Sequence, residues 1–424
     1  MTTIILTQYS GSILGPIAKV LGWIMNWIYL FLSNVFGIEN IGLTIIGLTV
    51  IIYMCMLPLT VKQQKFSKLQ QKMQPEIKAI QDKYKGRRDQ ETQLAMNEET
   101  QALYAKYGIS PTGTCLPLLL QMPVFFALYR VIYNVPAYVS GVKEAFDGVV
   151  DGIVNTPGFQ GIMEKFLESF KLTQQIGADF NSTDLSAVRN FIVDSVYKMP
   201  TTGWNGLRDS FPGLTEVINS TEVQLNHMNT FLGLNISDSP LSIITSSFQS
   251  HSYLLVVAAL LIPLVSYASQ MMNIKLMPQA DTDPDNPMAR QMKTMNYTMP
   301  LISTFICFTV PVGLGIYWIF SSLTRSVQQY FVNKHIQNLD LDEVIAKNVE
   351  KRKKKLEKMG ISENQIRNAA SLRTKGNVQL SSSMSKAERD AKVEQAYTYR
   401  KTANPNSLTA KANLVKEFNE RNNK

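Results

Sequence analysis

Apolar residues along this chain gather in long blocks, and charged stretches separate one block from the next. Five blocks, 41–60, 113–135, 251–273, 295–311 and 312–332, run to about 20 residues each, enough for a helix to cross a hydrocarbon core of about 30 Å. The last two meet at Pro311-Val312-Gly313, as in a tight membrane hairpin. Segment 61–112 is polar but periodic: Phe66, Leu69, Met73, Ile77 and Ile80 recur at helical spacing. That helix is expected to end near Lys85-Gly86, and a second to run over 89–107, making a polar helical hairpin. Segment 136–250 is far longer than an ordinary connection. Helical patches at 161–172 and 185–197 predict that it folds into a small cap. Loop 274–294 and tail 333–424 complete the layout, with a helix expected over 341–359 and a disordered composition beyond it. The expected fold is an all-α polytopic membrane protein.

One apolar stretch, 13–36, is ambiguous. Gly15-Pro16 opens it, Lys19 and Asn26 interrupt it, and Trp23, Trp27 and Tyr29 crowd it. Aromatic rings among polar residues suit a helix lying in the headgroup region, so segment 1–40 is read as carrying an interfacial amphipathic helix. A spanning reading stays open and would move the N-terminus to the other side.

Charge sets the orientation. Segment 62–110 has 10 Lys/Arg against 6 Asp/Glu, and tail 333–424 has 20 against 11. Segment 136–250 is reversed, with 6 basic and 12 acidic residues. Lys62, Lys65, Lys68, Lys275, Lys293 and Lys334 all flank block ends. The positive-inside rule therefore places the hairpin, loop 274–294 and tail in the cytoplasm, and segments 1–40 and 136–250 outside. The tail's run Lys351-Arg352-Lys353-Lys354-Lys355 has the charge to meet anionic lipid or ribosomal RNA phosphate, although such runs also serve only as solvated, orientation-setting segments.

Catalytic chemistry finds no foothold. No phosphate loop, HExxH or GxSxG motif occurs, and Cys55, Cys115 and Cys307 all lie in or beside apolar blocks. No metal spacing links His227, His251 and His335, and the N-terminus has no signal-peptide pattern. The chain is read as no enzyme, with no cofactor and no metal.

What remains is polarity at membrane depth. In the last block Trp318, Ser322, Arg325 and Gln329 fall at i, i+4, i+7 and i+11, one face of a helix, with Tyr317, Ser321, Thr324 and Gln328 adjoining. Thr49, Tyr53, Met56 and Thr60 form a weaker face in the first block. At 1.5 Å per residue, Tyr53, Gln121 and Arg325 each lie roughly 10 Å inside the cytoplasmic boundary. Two readings compete. Either the three line a half-membrane cavity open to the cytoplasm, or Gln121 and Tyr53 satisfy one another between packed helices while Arg325 snorkels to the headgroups.

The motifs themselves carry a resemblance. Pro58-Leu59-Thr60-Val61-Lys62-Gln63-Gln64 and Cys115-Leu116-Pro117-Leu118-Leu119-Leu120-Gln121-Met122-Pro123-Val124-Phe125 closely resemble the YidC family of membrane protein insertases, which includes the mitochondrial oxidase-assembly and chloroplast Albino proteins. Tyr297-Thr298-Met299-Pro300-Leu301 and Pro311-Val312-Gly313-Leu314-Gly315-Ile316-Tyr317-Trp318 look like that family's last two spans. The likeness covers about 15–135 and 250–335, and five spans without a large preceding β-domain point to the Gram-positive bacterial branch.

The resemblance implies five transmembrane helices around a hydrophilic groove, open to the cytoplasm and to lipid, in a bacterial cell membrane. It implies an insertase and chaperone that receives nascent or completed membrane proteins, alone or with the Sec translocon, and consumes no nucleotide. Tyr53, Gln121, Trp318, Ser322, Arg325 and Gln329 would line the groove. Expected partners are nascent membrane proteins, the Sec translocon, membrane lipids and, through the basic tail, the ribosome; no DNA is expected. One position departs from the family, which usually carries an arginine five residues before Pro58, where this chain has Tyr53. Arg325 is the candidate to supply that charge instead. A small-solute transporter would predict internal repeats, and none is evident. A membrane-anchored ribosome-docking scaffold would leave the last block's polar stripe without a purpose.

Overall fold

The computed structural model describes residues 11–86, 89–109, 116–277, 287–337 and 339–358. Cys115, residues 278–286 of loop 274–294 and the tail beyond Lys358 lie outside the described residues, and with them those parts of the sequence reading. The order is α1 (Leu14–Phe36), α2 (Ile41–Lys83), α3 (Gln90–Lys106) and α4 (Leu116–Tyr133), then a cap. The cap comprises α5 (Ser140–Glu144), α6 (Asp147–Val154), α7 (Phe159–Ser169), α8 (Thr173–Ile176), α9 (Leu185–Lys198), α10 (Gly203–Ser210), α11 (Thr215–Asn229), strands β1 (Thr230–Phe231) and β2 (Leu234–Asn235), and α12 (Pro240–Gln249). Helices α13 (Tyr253–Leu276), α14 (Pro287–Cys307), α15 (Val312–Gln337) and α16 (Leu341–Lys358) follow. Apart from the small antiparallel β-hairpin, the regular structure described is helical. Among the described residues α1, α2 and α13 have both the length and the apolarity to cross a membrane. This is an all-α membrane architecture.

Helix α2 runs 43 residues without a break. Its first half is apolar, and its buried face (Ile41, Ile45, Leu48, Thr49, Ile52, Tyr53) follows the helical period. Pro58 has no N–H to return to the carbonyl of residue 54, which loosens the ladder there. Side chains attend to that stretch: Gln328 Nε2 donates to the Tyr53 carbonyl at 2.8 Å, and Thr60 Oγ1 to the Met56 carbonyl at 3.2 Å. The helix then continues into the polar segment, so the first block and the hairpin's first arm are one rod.

The chain divides into two compact units, 1–74 with 110–341 and 75–109 with 342–424. In the first, α15 packs along α13, and α1 against α4. Gly315 makes the α13 contact feasible: a Cβ there would lie 2.4 Å from Ile262 Cγ2 and 3.2 Å from Cys307 Sγ. Small residues at such crossings let helix backbones approach where lipid supplies no hydrophobic push. Helix α1 buries Ala18, Leu21, Met25 and Tyr29 and exposes Trp23, Trp27 and Phe31. Asn26 Oδ1 ties it to the start of the cap, accepting from Ser140 N at 2.9 Å and Ser140 Oγ at 3.1 Å.

The cap buries Phe146, Ile153, Met163, Phe166, Ile192, Leu207 and Ile218 in one core continuous with that of the bundle helices. Asp184 caps α9 by accepting from the Ser186 and Ala187 amides, and the bond it also accepts from the Ser186 hydroxyl, with these amides, holds its carboxyl below the usual carboxylate range. Backbone bonds fasten the cap to the helix ends: Val312 N donates to Asp238 O at 2.8 Å, Gly313 N to Ile236 O at 2.9 Å, and Leu241 N to Phe308 O at 2.9 Å.

In the second unit the end of α2, α3 and α16 come together. Asp89 caps α3 through Thr92 N at 2.9 Å. Lys106 Nζ and the Tyr107 hydroxyl both donate to Glu76, at 2.8 and 2.6 Å. These bonds hold the Glu76 carboxyl low and push the Tyr107 phenol up to about 12. Gly108 lies against α16, where a Cβ would come within 2.6 Å of Val349 N. The tail helix therefore gives the hairpin's short arms a third surface to pack on, which the sequence pattern did not show.

Candidate functional site

The polar side chains of α2, α4 and α15 meet within the first unit. Gln121 Nε2 on α4 donates to the Tyr53 hydroxyl on α2 at 3.2 Å. The Arg325 guanidinium on α15 stands over the Tyr53 ring, 5.6 Å from its centroid, and its Nε lies 3.4 Å from the Ser321 carbonyl. Tyr317 sits beside Tyr53, and its ring is 6.4 Å from that of Phe125 on α4. Tyr53, Gln121 and Arg325 thus form one cluster, joined from three helices. Tyr53 is buried at 4 % exposure, whereas Gln121 and Arg325 are half-buried. A guanidinium over an aromatic face gains from the ring quadrupole, and the gain grows as water is excluded.

A second polar tie lies farther along the same helices. Gln64 Nε2 donates to Gln329 Oε1 at 2.5 Å, Gln329 Nε2 to Asn333 Oδ1 at 2.8 Å, and Asn333 Nδ2 to the Leu276 carbonyl of α13 at 3.1 Å. Gln329 therefore belongs to this relay and not to the Tyr53 cluster. Ser322 is fully buried and its Oγ has no partner. One turn on, Ser326 Oγ accepts from Asn273 Nδ2 of α13 at 3.4 Å. Trp318 is half-buried and packs against the apolar core. The polar stripe of the last block is consequently not a single open surface. Arg325 and Gln329 meet α2 at two levels, and Ser322 lies in packing.

Three contributors escaped the sequence reading: Gln64, Asn273 and Asn333. Gln64 was within reach, because it falls 11 residues after Tyr53 and so on the same face of a continuous helix. Ending the first block at Thr60 hid that relation. Among the described residues, the buried Oε1 atoms of Gln64 and Gln328 and the Ser322 Oγ have no partner. Buried polar atoms left unpaired along the α2–α15 contact mark places that gain from water or from another polar group.

A family model described as the 60Kd inner membrane protein matches residues 31–200 and 210–339, well over half of the chain and every residue of the cluster. The chain belongs to this family. It is the YidC family that the motifs around Pro58 and Gln121 resemble. Relatives named as membrane protein insertases are similar to it. YidC 1 of Halalkalibacterium halodurans is 39 % identical over 108 residues, 26 % of this chain and 41 % of the relative. YidC of Streptomyces avermitilis is 25 % identical over 326 residues, 76 % of this chain and 58 % of the relative. MisCA of Bacillus subtilis is 40 % identical over 99 residues, 23 % of this chain and 38 % of the relative. The chain spans about two fifths of the length of the Halalkalibacterium halodurans and Bacillus subtilis relatives it matches.

Proposed function

We propose that this chain inserts other membrane proteins into the bilayer, with the half-buried faces of Gln121, Trp318 and Arg325 as the wall that receives them. Five helices, α4, α13, α14, α15 and the first half of α2, would cross the membrane, with α1 in the interface and the hairpin and tail in the cytoplasm. The observation that carries the reading is the Tyr53–Gln121–Arg325 cluster. It combines a cation, an amide and a phenol at membrane depth, where polar groups are costly unless they serve a path or a partner. A hydrophilic segment of the substrate would exchange its water for these groups, while its apolar segment partitions sideways into lipid. Neither step consumes a nucleotide or needs a cofactor. Arg325 would supply the positive charge that the family usually carries at the position of Tyr53, drawing in acidic segments. The Sec translocon and the ribosome fit this reading as partners, the second through the basic run at 351–355.

A photo-crosslinking residue at position 121 tests the wall. A stalled nascent membrane protein should be captured there, and not from position 261 on the exposed apolar side of α13. Equal capture from both positions would show that substrate does not use this wall.

A further inference from the structure

The β-hairpin of the cap breaks the chemistry of its own turn. Thr230 pairs with Asn235 and Phe231 with Leu234, leaving Leu232 and Gly233 as the two-residue loop. Both have positive φ, 50° and 79°, as the turn twist demands. Asn-Gly or Asp-Gly satisfies such a loop at least cost, whereas a leucine in left-handed geometry is strained. This leucine is also 80 % exposed. A side chain that suits neither its backbone nor water is explained by a third environment.

The hairpin's position names that environment. Phe231 fills the notch at Gly42, the second residue of α2, where a Cβ would lie 2.6 Å from its Cγ. Asn40 Nδ2 donates to the Thr230 carbonyl at 2.8 Å. The tip is thus fixed at the level where the exposed apolar surface of α2 begins, with Phe36, Ile38 and Leu43 next to it in the chain. A second cap element repeats the arrangement. Helix α12 packs on α13 and exposes Leu241 and Phe248, and the exposed Tyr253 and Leu254 continue the surface onto α13. Charge follows the same line. The cap holds 6 basic and 12 acidic residues, yet from 223 to 274 the only Asp, Glu, Lys or Arg is Asp238.

We infer that the cap is moored in the bilayer surface, with Leu232 at the hairpin tip and the Leu241–Phe248 edge of α12 seated among the lipid headgroups and upper acyl chains. Two mooring points, one beside the start of α2 and one beside α13, add to the backbone bonds at Ile236, Asp238 and Leu241 in holding the cap over the helix ends. It then closes that end of the bundle, leaving the Tyr53 cluster accessible from the other. The inference rests on α2 and α13 crossing the membrane.

The test is a depth measurement on the full chain in lipid nanodiscs, with Cys55, Cys115 and Cys307 replaced by serine and one fluorescent label at a time. Leu232→Cys is the probe, Glu168→Cys on α7 the aqueous control and Met54→Cys on α2 the membrane control; both control positions are exposed. The Leu232 label should lose most of its emission to lipids carrying a nitroxide near the headgroup and be shielded from aqueous iodide, opposite to the Glu168 label. Iodide quenching of the Leu232 label equal to that at Glu168, with no effect of the nitroxide lipid, would overturn the mooring. A Met54 label insensitive to lipid nitroxides would instead overturn the placement of α2, and the mooring with it.

Discussion

Insertion of an acidic-tailed membrane protein should fall by on the order of tenfold in Arg325→Ala, with the fold retained, while a neutral-tailed substrate inserts as before. Among the described residues Arg325 has no carboxylate partner; its contacts are the Tyr53 ring and the Ser321 carbonyl. A half-buried cation without a carboxylate partner is free to meet one that arrives. At about 4 Å and an effective dielectric constant near 20, such a pair is worth about 4 kcal/mol before screening and desolvation, and about 1.4 kcal/mol is enough for a tenfold change. Arg325→Lys should be intermediate, because it keeps the charge but gives up the planar stacking on Tyr53. Moving the charge to the usual family position in a Tyr53→Arg, Arg325→Ala double variant should restore part of the loss. Native rates for acidic substrates in a folded Arg325→Ala protein would remove the charge from the mechanism and leave hydration of the wall to do the work.

The second large effect concerns the scaffold. Gly315→Leu should lower the thermal stability of the protein in nanodiscs by several degrees or prevent its accumulation in the membrane. The cause is local: even a Cβ at 315 would stand 2.4 Å from Ile262 Cγ2. Ile262 is β-branched and stiff at χ1, so it cannot swing away as a methionine would. Overpacking of this kind costs about 1–3 kcal/mol where the backbone can shift, and more where it cannot. Here α15 is held at its start by the cap, through Val312 N and Gly313 N. Ile262→Ala in the same chain should recover much of the loss, because the two sites share one contact. A Gly315→Leu protein as stable as the native one would mean that α13 and α15 do not approach as closely as described.

Apolar blocks were readable because a bilayer or a core demands them at a fixed length, and α13 and the first half of α2 fall on two of those blocks. The cluster was readable in outline for a related reason. Counting depth along three helices brought Tyr53, Gln121 and Arg325 to one level, and Gln121 does bond to Tyr53; the stacking of Arg325 on the Tyr53 ring belonged to neither of the two competing readings. What stayed hidden involves continuity and exceptions. The first block was bounded at Thr60 and the periodic polar segment treated apart from it, yet α2 runs from one into the other, and that continuity brings Gln64 to Gln329. The single face drawn for the last block ignored that neighbouring helices take different parts of it, so Ser322 went into packing and Gln329 to a relay with Gln64 and Asn333. The β-hairpin was invisible because Leu232 occupies a turn position that asparagine or aspartate would have advertised. Helix α16 was expected over 341–359, but its place against the hairpin was hidden, since nothing in its pattern says which surface it will cover.

The central claim is that this chain by itself moves a polypeptide into a bilayer. The most direct measurement is protease protection of a short membrane protein, synthesised without ribosome-targeting factors and presented to vesicles that contain only this purified protein. The account predicts protected, membrane-spanning substrate in loaded vesicles and background levels in empty ones, without added nucleotide. Protection no greater than in empty vesicles, with the protein folded and correctly oriented, would contradict it.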